Sequence, residues 1–319
     1  MDDLKILGEM RADAPTPDAD RLGGVRRRVI RDGRRFALMP SMLIAAVAAV
    51  LVVAIAVPMS RSTPEVPGTP PVRTVLLNSE TALEKAAKTV EKRTLAPEPR
   101  ADQWVYSKIL DRQPADGETT VREGWTRYDG KQTAGWDFKG KFKVSDVPPD
   151  PDDDDLSPQQ YREKLLKLPT DPDKLLRHVK DDRHWVDYPK EEAQSKVVED
   201  PNSRAYRILS LYLGQQAVMP PKLEAAIFRA MAKIPGVAIE QGVRDATGRT
   251  GLGLFRRTEG EETTRRYLIL DPRTYRAMAD QTIWLRDELI NGEVAFRKGA
   301  VFSDVELASG IVDKPGQVP

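Results

Sequence analysis

The chain has 319 residues, 50 Lys plus Arg against 49 Asp plus Glu, a net charge of +1 and no cysteine. That balance makes no electrostatic case for a nucleic-acid partner, and the lack of thiols excludes disulfides, thiolate metal sites, cysteine nucleophiles and lipid-modified cysteine anchors. Two histidines leave little scope for an imidazole metal cage, and 25 prolines point to linker within the chain.

Residues 1–35 carry nine basic and seven acidic residues. Their apolar positions form two short helical stripes, Leu4, Leu7 and Met10, then Leu22, Val25 and Val29, separated by Pro15-Thr16-Pro17. Helices this short are marginal alone in water, so the segment is expected to order only against a protein or the inner leaflet. From Phe36 to Ser60 no residue is charged. The run 36–57 is long enough for a hydrocarbon core of about 30 Å, with Pro40 in its first turn and Pro58 beyond its end. Seven arginines in residues 21–35, against Arg61 and Arg73 in residues 61–75, predict a cytoplasmic N-terminus. Ala54 and Ala56 have the spacing of a signal-peptidase site, but 35 residues precede the apolar run, which favours an uncleaved anchor. Residues 58–77, with Pro58, Pro64, Pro67, Pro70 and Pro71, read as an extended spacer.

Residues 78–319 are expected to form an extracytoplasmic domain. Asn78 or Ser79 caps a helix through Leu83, Ala87 and Val90 that ends before Pro97. Runs from Trp104 to Leu110 and Val121 to Tyr128 predict an antiparallel meander continuing through Trp136 and Phe138 to Val144. Residues 156–235 read as a helical layer: Ser157-Pro158-Gln159-Gln160 is a capping box, and apolar stripes at Leu165 and Leu168, Leu175 and Val179, Leu209 and Leu213, and Ile227 and Ala230 follow. From residue 236 to 308 the period returns to two, with Val237, Ile239, Gln241 and Val243 expected on one face, a turn at Asp245 to Arg249, and short strands at Tyr267–Leu270, Tyr275–Met278, Ile283–Leu285 and Val294–Phe296. Strands, then helices, then strands predict an α+β domain on a mainly antiparallel sheet.

Candidate chemistry is sparse. The acidic run at residues 150–155 lacks the glycine and bidentate glutamate of a calcium loop, and His178 and His184 lack a third strong ligand. Gly248, Gly251 and Gly253 precede a strand, not the helix a phosphate cradle needs. No serine-nucleophile or zinc-protease signature is present, so no catalytic, cofactor or metal residues are assigned; a hydrolase would rest on carboxylate abundance alone. Trp104, Trp125 and Trp136 are candidates to line a ligand groove.

Several segments read together carry a resemblance: Met1-Asp2-Asp3-Leu4, Gln103-Trp104-Val105-Tyr106, Leu168-Pro169-Thr170-Asp171-Pro172, Ile234-Pro235-Gly236-Val237, Gly248-Arg249-Thr250-Gly251 and Leu270-Asp271-Pro272-Arg273-Thr274-Tyr275. The chain resembles an uncharacterised actinomycete family of single-span membrane proteins often associated with extracytoplasmic-function sigma factors. The resemblance implies a regulatory or sensory part and transfers no catalytic residues. A helix followed by a long meander also looks like the half-barrel domains of envelope lipid carriers and sigma-pathway regulators. The expectation is a non-enzymatic envelope sensor linked to a sigma-factor pathway. Its cytoplasmic stripe would meet the partner, and oligomerisation would give a single span a way to transmit. The alternative is an anchored binding module for lipid or cell-wall material.

Overall fold

Side-chain caps start four of the five helices among the described residues. The computed structural model describes residues 74–137, 139–148, 156–182, 199–257, 260, 262–290 and 292–319. Helix α1 (Ser79–Val90) begins where Asn78 accepts from the Thr81 N–H, and α2 (Pro158–Lys167) begins at a complete Ser157–Gln160 capping box. Asp171 caps α3 (Pro172–Asp181) and Asp200 caps α4 (Pro201–Leu213), each followed by proline at the first helical position. Helix α5 (Pro221–Ala232) has no side-chain cap and is held by its surroundings: it packs against α1, α3 and α4, with Leu223, Ile227, Phe228 and Met231 buried. Arg93 donates to both carboxylate oxygens of buried Glu224 at 2.8 and 2.7 Å, tying the end of α1 to the start of α5. No helix among the described residues is long and apolar enough to cross a membrane. The apolar run 36–57, the segment before it and the spacer up to residue 73 lie outside the described residues.

The strands are β1 (Val75–Leu77), β2 (Trp104–Arg112), β3 (Thr119–Arg127), β4 (Gln132–Trp136), β5 (Phe142–Asp146), β6 (Val237–Arg244), β7 (Thr250–Arg256), β8 (Thr264–Leu270), β9 (Ala277–Trp284), β10 (Glu288–Ile290), β11 (Glu293–Phe296) and β12 (Val301–Val312). Ten of them form one antiparallel sheet in the order β1-β6-β7-β8-β9-β12-β2-β3-β4-β5, and β10 and β11 form a separate hairpin. The α+β class and the antiparallel sheet agree with the sequence. Strand β12 does not figure among the expected strands, yet it joins the meander β2–β5 to the second set β6–β9. Strand β1, inside the stretch read as spacer, pairs with β6.

Alternation gives the sheet two buried sides. On the helix side, Ile239, Leu254 and Leu268 are cross-strand partners and join the helices in the main core with Leu83, Leu209 and Phe228. Val243 departs from the expected face: the register shifts between Gln241 and Val243, where Gly242 adopts φ +92°, so Val243 turns to the far side. There it packs with Phe255, Tyr267, Ile269, Ala279 and Val305. This second core is closed by the sheet itself. The turn between β6 and β7 reaches over the far side, where Arg249 Nη2 donates to the carbonyls of Met278 on β9 and Glu306 on β12, and Gln281 donates to the Arg244 carbonyl. Gly253 permits the close approach, since a Cβ there would lie 2.7 Å from both Tyr267 and Val243. Tyr275, expected in a strand, sits instead at φ +58° in the Asp271 turn, with its ring edge-on to Phe228.

Candidate functional site

The register of β2–β5 places aromatic side chains on the far side. Tyr106 pairs with Trp125, Trp125 with Ala134, and Trp136 with Phe142. Alternation then sets Trp104, Trp125 and Trp136 on one face, as a shared groove requires. The rings form a chain: Tyr106 to Trp125 at 5.1 Å, Trp125 to Phe142 at 5.3 Å and Phe142 to Trp136 at 5.0 Å between centroids. Trp104 and Trp125 are buried, whereas Trp136 is 57% exposed at the outer end of the row. The Tyr106 hydroxyl donates to Glu123 at 2.5 Å, and burial together with that carboxylate pushes its pKa up to about 12.

The last residues of the sequence close the buried end. Trp125 Nε1 donates to the Gln317 carbonyl at 2.6 Å. Pro319 lies on Gly310 of β12, where a Cβ would come within 2.6 Å of its ring, and Gly316 lies beside the Phe142 ring. Asp313 starts this strap by accepting from Arg100 at 3.1 Å and Gln103 at 3.0 Å. A sharp turn shapes it, with Gly316 at φ +89° and the Lys314 N–H donating to the Gln317 side chain. Trp125 is therefore covered by the protein's own chain, while Trp104 is buried in the same cluster as Val312.

The helix side presents a second cluster. Past Leu268 the same cross-strand row continues as Asp280, Asp304 and Asp111 on β9, β12 and β2. Like charges directly opposite one another destabilise a sheet, so packing alone does not account for the row. Two arginines offset it. Arg122 clamps both oxygens of Asp111, and Arg266 donates to both oxygens of Asp280 at 2.6 to 3.0 Å. Burial opposes charge on Asp111, but the Arg122 guanidinium and a hydrogen bond from Asp304 hold its carboxyl below the usual range. Burial pushes Asp304 up to about 8, reinforced by its hydrogen bond to Asp111 and by that neighbour's charge. Asp304 is therefore protonated at neutral pH and donates to Asp111; its Oδ1 accepts no hydrogen bond and lies 4.0 Å from Arg122. Beside this row, a cavity of about 80 Å³ lies between α4 and β8–β9, lined by Tyr206, Arg207, Ser210, Arg266, Leu268 and Asp280. That volume suits a few waters rather than a large ligand.

Two facing carboxylates, Asp111 and Asp304, resemble the shared-proton arrangement of acid hydrolysis. Here the Arg122 clamp occupies both Asp111 oxygens, leaving that carboxylate ill-placed to activate water. No group of three or more His, Cys, Asp or Glu residues among the described residues is placed to hold a metal ion. A wider, open depression of about 600 Å³ runs along α3 past Lys174, Arg177, His178, Asp181 and Asp182 and adjoins residues outside the described set. Leu4, Leu7, Met10, Leu22, Val25 and Val29, the residues expected to meet a cytoplasmic partner, lie outside the described residues. The aspartate row was not legible because its members come from three strands far apart in sequence. The strap was not legible either, since Lys314-Pro315-Gly316 reads as an ordinary loop. No protein-family model, curated protein or solved structure matches this chain.

Proposed function

We propose that this chain is a non-enzymatic, membrane-anchored envelope sensor or regulator linked to a sigma-factor pathway. In this reading residues 36–57 span the membrane and the β2–β5 aromatic face receives the signal. Leu4, Leu7, Met10, Leu22, Val25 and Val29 then meet a cytoplasmic protein such as an extracytoplasmic-function sigma factor. The arginine-flanked apolar run supports the topology, and the resemblance to the sigma-associated family supports the pathway. The curl that brings Arg249 onto β9 and β12 supports a half-barrel. The observation that carries the reading is the row of aromatic rings whose inner end is covered by a strap of the same chain, an arrangement that a displacing ligand can open.

Pull-down of the tagged full-length protein from gently solubilised membranes tests this. A stoichiometric cytoplasmic sigma factor, lost on deletion of residues 1–35, supports the regulator. Only envelope components, retained after that deletion, would replace it with an anchored binding module for lipid or cell-wall material. That second reading is favoured by Trp136, whose exposed ring suits stacking on a sugar or acyl chain.

A further inference from the structure

The strap shows what chemistry its seat accepts. An indole N–H is a donor only, and Trp125 uses it on a backbone carbonyl, a group that every peptide presents. Extended proline-bearing segments have carbonyls without internal partners and dock on aromatic-lined grooves with little further loss of conformational freedom. Beyond the turn closed by the Gln317 N–H on the Lys314 carbonyl, residues 317–319, Gln-Val-Pro, are such a segment. Pro319 fills the space left by the missing Cβ of Gly310, Gly316 passes the Phe142 ring, and Gln317 supplies the carbonyl. The outward side of the strap stays in water, with Gly316, Gln317, Val318 and Pro319 all exposed.

The strap is also lightly anchored for its length. Ordering a residue costs on the order of 1–2 kcal/mol of backbone entropy. Against this the segment has one hydrogen bond from Trp125, the two bonds between Lys314 and Gln317 that close its own turn, and the exposed contacts of Asp313 with Arg100 and Gln103, of the kind that contributes little. The spacer carries a second segment of matching character: Pro64-Glu65-Val66-Pro67 places a carboxylate where Gln317-Val318-Pro319 has an amide.

We propose that the face of β12 and β2–β5 lined by Tyr106, Trp125, Phe142 and Gly310 is a receptor site for short proline-bearing peptides, and that residues 313–319 are its resident, displaceable occupant. The inference rests on reading this face as the receiving surface. It adds the class of ligand, a short peptide recognised through a backbone carbonyl and a proline ring, and it makes the strap a built-in competitor.

The test uses full-length protein in detergent micelles and two labelled synthetic peptides, residues 62–71 and residues 311–319, followed by fluorescence anisotropy. Gly316→Val puts a β-branched residue at φ +89° and so expels the strap without altering the receptor face. The expected result is binding of both peptides to Gly316→Val at least about tenfold tighter than to wild type, as removal of an intramolecular competitor requires. A chain stopped after Val312 should behave as Gly316→Val does. Adding Gly310→Ala, which fills the proline seat, should abolish binding of both peptides. Binding of neither peptide, of the 311–319 peptide alone, or binding indifferent to Gly310→Ala would overturn the proposal. Should the shortened chain fail to fold, Gly316→Val gives the answer unaided. The regulator reading fails separately: peptide binding without a co-purifying cytoplasmic partner leaves the receptor standing, and a captured sigma factor without peptide binding leaves the regulator standing.

Discussion

The far side of the sheet is closed twice, by two different kinds of lid. At β6–β9 the closure is the sheet's own turn: Arg249 bridges to Asp245, Met278 and Glu306, and Phe255, Ile269 and Val305 beneath are fully buried. At β2–β5 the closure is a strap of seven residues held by one indole hydrogen bond and exposed polar contacts. The rings beneath are as apolar in both places. What differs is how much structure must break to uncover them. Lifting the first lid dismantles paired strands, whereas lifting the second breaks no strand pairing at all. Burial alone therefore does not separate a core from an occupied binding face; the connectivity of the cover does.

Changes at the two lids should differ accordingly. The largest expected effect is at the first: Phe255→Ala removes a fully buried ring from the self-closed cluster and should cost about 3–5 kcal/mol in denaturant unfolding. Arg249→Ala should cost about 2–3 kcal/mol, since it removes charge-assisted bonds and leaves the buried Asp245 carboxylate without its guanidinium. Gly316→Val, acting on the second lid, should cost about 1.4 kcal/mol in the same assay, the free energy of the tenfold closure it removes, while shifting tryptophan emission to the red. Equal losses from Arg249→Ala and Gly316→Val would break the distinction between the lids.

A fourth change touches neither lid. Asp304 lies on the helix side of β12, the strand that joins the two regions, and faces Asp111 and Arg122 on one flank and Asp280, Arg266 and the Arg207 side of the cavity on the other. Its carboxyl titrates at about 8 when folded and near its ordinary 3.8 when unfolded. Between those limits the folded state holds a proton that the unfolded state lacks, so this group's contribution falls as pH rises from about 4 to 8. Asp304→Asn keeps a donor toward Asp111 and loses that slope. Its stability should match wild type near pH 4 and exceed it increasingly as pH rises toward 8, with peptide access to the aromatic face unchanged. A wild-type stability curve with the same slope as the variant would remove the protonated Asp304 from the account.

The sequence made part of this legible. Helix starts carry their own chemistry, as at Ser157-Pro158-Gln159-Gln160, and the aromatic alternation of β2 and β3 put Trp104 and Trp125 where the register later placed them. Strand β12 escaped because its pattern is broken: Ser303, Asp304, Glu306 and Ser309 interrupt it, and a register shift at Leu307 sends Val305 to the far side but Ile311 to the helix side. Val243 was misplaced by the same device at Gly242. The aspartate row and the strap depend on which strands become neighbours, and that long-range pairing has no local signal in the residues that make it.

The most direct measurement of the central claim is hydrogen exchange of the Trp125 indole N–H in full-length protein, followed by NMR alongside the backbone amides of β6–β7. If the strap is a displaceable occupant, that indole should exchange through a local opening far faster than the amides, and its rate should not respond to denaturant. Exchange of the indole only through global unfolding, at the same free energy as the β6–β7 amides, would show that the strap is part of the core and contradict the account.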